Sequence, residues 1–190
     1  MTTRWQRNSL ACLLLSVSLS TTAAGVHQHG LAEAAVVVEG EQVTIRFRAP
    51  LMDILGTEQP PADAPARARY GKRLAQVAAP QPSPAAQCEP VSASISSVDS
   101  LFPEQQAHDS HDHHDHDHDH DHDHDHDAHS HHEDVDNEWL FSCAFPEKLN
   151  AVDLPFLDTF SSLTTEVVLL LPAAQSALRL APGETRIPLE

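Results

Sequence analysis

Hydrophobic and polar positions alternate most regularly over Gln42 to Ala49. Val43, Ile45 and Phe47 share one face there, and Thr44, Arg46 and Arg48 share the other. That period is the mark of a half-buried strand. Leu31 to Glu39, rich in Ala and Val, precedes it, and the join at Glu39-Gly40-Glu41 predicts a β-hairpin. Pro50 ends the second strand, and Leu51 to Gly56 reads as a short apolar turn or helical stub. Val91 to Val98 predicts a strand whose buried face holds Val91, Ala93 and Ile95. Glu138 to Phe145 predicts another, with Trp139, Phe141 and Cys143 in alternation. Thr164 to Leu171 has the β-branched, apolar character of a central strand, and Ser176 to Leu180 and Arg186 to Leu189 are shorter strands separated by Pro182-Gly183.

Only one stretch has helical spacing. Asp63 can cap a helix with Pro65 in its first turn, and Tyr70, Leu74 and Val77 then share a face, so a helix is expected near residues 63 to 79. Gly71 works against it. Pro80, Pro82 and Pro84 form an extended linker. Phe156, Leu157 and Phe160, in an irregular apolar stretch, are expected to fill the core. Runs of strands with few helices argue against a parallel α/β sheet. The fold class expected is α+β: a single domain of mainly antiparallel sheet, or a pair of sheets, with a peripheral helix.

The first 24 residues change the picture of where this domain works. Arg4 and Arg7, the apolar run Leu10 to Leu19 and the small residues Thr22-Ala23-Ala24 read as a secretory signal peptide. The apolar run is far below the ~20 residues needed to span a bilayer. Cys12 lies near the start of that run instead of closing it, which argues against a lipoprotein. Residues 25–190 are then expected to be an exported domain without membrane insertion. The formal charge is -17, and removal of Arg4 and Arg7 leaves 9 basic against 28 acidic residues, or -19. Such a field repels nucleic acid and gathers cations.

Much of that acidity lies in one tract. From Ala107 to His132 the chain reads AHDSHDHHDHDHDHDHDHDHDAHSHH. Thirteen of the fifteen histidines are there: His108, His111, His113, His114, His116, His118, His120, His122, His124, His126, His129, His131 and His132. A segment with so little apolar surface cannot offset its ordering entropy, so residues 104–136 are expected to be a disordered loop between two strands. Its chemistry points to divalent transition metals. Neutral imidazole is the commonest zinc ligand, with carboxylate oxygen as an auxiliary one. In an extended chain, residues two apart point to the same side about 6–7 Å apart, which gives many overlapping ligand sets. A repeat expansion without a role and a pH sensor are the competing readings. Affinity alone favours copper over zinc.

Cys88 and Cys143 flank the tract. In an oxidising compartment they are expected to form a disulfide, closing a loop of about 55 residues for roughly 4 kcal/mol in the chain-entropy model. It would clamp the base of the loop. A thiolate metal pair is the alternative, although CxxC-type spacing is missing.

The chain resembles the ZrgA-type proteins, which are linked to zinc acquisition in the periplasm. The resemblance rests on His27-Gln28-His29-Gly30, on Ala49-Pro50-Leu51-Met52-Asp53-Ile54-Leu55-Gly56, on the long His-Asp loop, and on Phe141-Ser142-Cys143 with Leu154 and Phe156 downstream. It implies a zinc-binding accessory working alongside a zinc ABC importer or its solute-binding protein. Members usually read Leu-Gly-Phe-Glu-His where this chain has Leu55-Gly56-Thr57-Glu58-Gln59. An ordered site using that histidine would be weakened here, with Glu58 and the His27/His29 pair as the remaining donors.

Three functions follow from these residues. The first is capture and buffering of Zn(II) by the loop. The second, a metalloenzyme, lacks support: there is no HExxH, GxSxG, glycine-rich phosphate loop or CxxC pair. The third is a copper or nickel chaperone or detoxification protein. With only 2 Met and 3 Cys in the chain, copper(I) is disfavoured. Cleavage after Ala24 would, however, leave Gly25-Val26-His27 at the amino terminus. Its amine, two backbone amides and imidazole suit square-planar Cu(II) or Ni(II). His27 and His29 alternatively begin the first strand or join Glu58 in a zinc site.

Overall fold

The computed structural model describes residues 28–103 and 134–189. The expected signal peptide, His27 and residues 104–133 lie outside them. The expected hairpin forms from β1 (Leu31–Glu39) and β2 (Gln42–Pro50), paired antiparallel from Glu33↔Arg48 to Glu39↔Gln42. Gly40 takes φ +60° in the turn, a conformation that a Cβ would strain. Two short helices follow, α1 (Leu51–Leu55) and α2 (Ala64–Leu74). Asp63 caps α2 as expected, its Oδ1 accepting the Ala66 N–H at 2.7 Å. The helix ends at Leu74 and not near residue 79. Residues 75–77 continue only as turns, with the Gln76 N–H on the Arg73 carbonyl and the Val77 N–H on that of Leu74.

The rest of the chain is β3 (Gln81–Pro82), β4 (Cys88–Ser94), α3 (Val98–Leu101), β5 (Asp134–Cys143), β6 (Ala151–Asp153), β7 (Thr164–Leu171), β8 (Ala174–Leu180) and β9 (Arg186–Pro188). The main sheet has the order β4-β5-β2-β1-β7-β8, and β3-β6-β9 make a second, small one. All pairings are antiparallel except β1 with β7, which run parallel from Leu31↔Thr164 to Val37↔Leu170. The fold is the expected α+β domain, with this one parallel pair as an addition.

One face of the main sheet is buried. Val36, Ile45, Phe47, Trp139 and Leu169 point inward, against Leu51 and Ile54 of α1, Leu74 of α2 and the 3-10 turn at Pro155–Asp158. Phe156 sits at the centre, its ring 4.7 Å from Phe47 edge-on and 6.3 Å from Trp139. Leu157 and Phe160 are also buried, as expected. Each such side chain contributes roughly 1.5–3 kcal/mol by leaving water.

Two expectations need correction. The strand expected over Val91 to Val98 with a buried face is instead β4, Cys88–Ser94, and it is exposed from Glu89 onward. Val91 is 59 % and Ile95 45 % accessible. The alternation is real and Ala93 does pair with Trp139, but β4 is an edge strand with a register shift between Pro90 and Ser92, and no described residue covers its outer half. Val98 instead enters α3, capped reciprocally by Ser97 and Ser100. The loop also ends earlier than residue 136. Asp134, Val135 and Asp136 already belong to β5, opposite Pro50, Ala49 and Arg48.

Candidate metal centre

Both roots of the His-Asp tract emerge at one end of the main sheet. The tract leaves after α3, where the Phe102 ring lies 5.9 Å from that of Tyr70 on α2. It returns at Asp134, paired with Pro50 at the end of β2. The two roots are tied together one turn in. The Ser96 N–H donates to Asn137 Oδ1 at 2.7 Å, Ser96 Oγ donates to the Asp136 carbonyl at 2.9 Å, and the Asp136 N–H donates back to Ser96 Oγ at 2.9 Å. Asn137 is buried, so these bonds sit where an unmade one is costly.

The start of β5 is also fixed electrostatically. Arg46 holds Asp136 through two bonds, Nε–Oδ1 at 3.1 Å and Nη2–Oδ2 at 2.8 Å, and Arg48 pairs with Asp134. The Asp136 hydrogen bond and charge raise the pKa of Arg46, with Glu138 adding to the effect. The alternation of Arg46 with Arg48, and of Asp134 with Asp136, was the sequence signal for this ladder.

His29 lies at the same end, exposed, just ahead of β1. Its position is set by Gly30, which takes φ +78° and donates its N–H to Asp53 Oδ2 of α1 at 2.9 Å. The Gly30 carbonyl accepts the Thr164 N–H at 2.9 Å, docking the entry of β1 onto β7. Asp53 had no role in the sequence reading beyond its place in the motif; an acid in the first turn of an apolar stub was the only hint. After α1, Tyr70 Oη donates to the Gln59 carbonyl at 3.3 Å, so Glu58 and Gln59 are held near α2.

The structure thus gathers His29, the Asp53 and Glu58 segment and both tract roots at one end. Among the described residues it assembles no group of three or more His, Cys, Asp or Glu side chains able to hold a metal ion. His29 is the one described histidine; His27 and the thirteen tract histidines lie outside the described residues. The cysteines are no metal pair, because Cys88 and Cys143 are joined in a disulfide. They are direct cross-strand partners at the start of β4 and the end of β5, the end of the pair away from the tract. The expectation that this bond clamps the loop's base is corrected: Cys143 stands nine positions along β5 from Asp134, roughly 30 Å of strand.

The sequence matches the profile of the ZrgA family zinc uptake proteins over residues 26–189. The chain belongs to the ZrgA family. No curated protein matches it. Membership in a zinc uptake family assigns this ZrgA chain a role in zinc uptake, and the family is not one of enzymes. Its match spans the described domain and the tract together, so the tract is framed by family sequence on both sides. Among the described residues, no helix is long and apolar enough to cross a membrane.

Proposed function

We propose that this protein captures and buffers Zn(II) in the periplasm through its His-Asp tract and supports import by a zinc ABC transporter or its solute-binding protein. The observation that carries the reading is the tract's placement. A run of alternating imidazoles and carboxylates is inserted between two strands of a family domain for zinc uptake, at the end where His29 also lies. Many overlapping ligand sets favour multiple sites with fast exchange, which suits a buffer better than a single rigid site. Catalysis would need ligands held by a supporting shell of hydrogen bonds, and a repeat does not provide one.

The deciding experiment is growth under zinc limitation. Cells with the full-length protein should outgrow cells whose protein lacks residues 107–132. Equal growth would overturn the reading. Metal analysis of untagged protein from zinc-starved cells separates zinc from copper or nickel as cargo.

A further inference from the structure

Helix α2 is out of keeping with the rest of the chain. Its sequence, APARARYGKRL, holds Arg67, Arg69, Lys72 and Arg73 and no acid, in a protein of net charge -17. Cations in a last turn suit the helix dipole, which accounts for Lys72 and Arg73 but not for the earlier pair. Two of the four have structural duties. Arg67 pairs with Asp99 of α3. Arg73 donates to the Ile54 carbonyl at 2.9 Å and lies 4.5 Å above the Phe160 ring. Arg69 and Lys72, three apart and so on one face, are exposed and make no ion pair with any described residue.

The chain enters the tract beside this helix. Tyr70 packs against Phe102, two positions before residue 104, with Arg69 and Lys72 further round the same helix toward solvent. Residues 104–133 contain eleven carboxylates and no lysine or arginine. With an anchor at each end, such a segment meets α2 at an effective concentration far above that of any free anion. We propose that the basic face of α2, presented by Arg69 and Lys72, is an intramolecular docking surface for the aspartates of the metal-free tract. Zinc bound by the tract cancels part of its negative charge, so loading with metal weakens the docking. That second statement rests on the function proposed above; the docking itself does not.

Lys72 makes the idea testable, because the chain has just two lysines and the other, Lys148, lies past the far end of β5. Carbodiimide coupling of the metal-free mature protein, followed by peptide mapping, should join Lys72 to tract carboxylates at least about fivefold more than Lys148. Coupling should fall severalfold in 0.5 M salt, where the Debye length shrinks to about 4 Å. Arg69→Ser should lower it without affecting the fold, checked by circular dichroism. Equal coupling at the two lysines, or products formed only between molecules, would overturn the docking. Stoichiometric ZnCl2 should reduce Lys72 coupling severalfold. Unchanged coupling, with calorimetry on the same sample showing zinc bound, would overturn the competition and leave the zinc reading standing.

Discussion

Cys88 and Cys143 face each other across the β4–β5 ladder, at the end of that strand pair opposite to where the tract enters and leaves. Stability and metal capacity should therefore separate. Replacing both cysteines by serine is expected to lower unfolding free energy by up to about 4 kcal/mol, the chain-entropy value for a loop of this size. Zinc stoichiometry should stay unchanged. Denaturant unfolding and zinc titration of the same variant check both halves, and a parallel loss of capacity would contradict the separation.

Removal of residues 107–132 is expected to have the converse result. The retained roots are still joined through Ser96, Asp136 and Asn137, so the domain should fold and melt close to the parent temperature. Most bound zinc should be lost. Calorimetry and a thermal melt read the two quantities, and an unfolded deletion protein would show that the tract supports the core.

Acid should strip the metal. Zinc binds neutral imidazole, whose ordinary pKa is about 6.5, so protons compete as pH falls through that value. Neighbouring aspartates favour the imidazolium and sharpen the competition. Zinc capacity should fall steeply between roughly pH 7.5 and 5.5. Capacity that stays flat over this window would make carboxylates the principal ligands.

Two buried polar residues should respond with opposite signs. Thr165 Oγ1 is buried without a hydrogen-bond partner among the described residues, so Thr165→Val is expected to stabilise by about 1 kcal/mol. Asn137→Ala removes the acceptor for the Ser96 N–H and leaves a gap, at a loss of about 1–3 kcal/mol. Equilibrium unfolding of the two variants decides the matter. Destabilisation by Thr165→Val would mean that its hydroxyl has a partner in solution.

Where local signals agreed, the sequence was readable. The β1–β2 register follows from alternation meeting a glycine turn, and the α2 start from Asp63 and Pro65. Phe156 belongs to the core because no irregular stretch that apolar can stay in water. Tertiary placement was not readable. Nothing in Val91 or Ile95 reveals that their strand ends up at an edge, and β3, β6 and β9 are too short for any period to show. Parallel pairing of β1 with β7 joins residues more than 120 positions apart. For the site, the ligand types were plain in the tract, whereas the Asp53–Gly30 bond that seats His29 depends on how α1 folds back.

The joined roots have a genetic consequence. Because Ser96 binds Asp136 and Asn137 directly, the gap beneath the tract is closed whatever length of chain passes above it. His and Asp codons differ only in their first base, so a His-Asp run is a near-repeat at the nucleotide level whichever synonymous codons it uses, and such runs gain and lose copies during replication. Each copy adds an imidazole and a carboxylate, and doubling the loop costs only about 0.6 kcal/mol in closure entropy. Copy number can thus drift in steps of one ligand pair without a compensating change in any core residue, and lineages facing different zinc supplies can be expected to differ first in the length of this run.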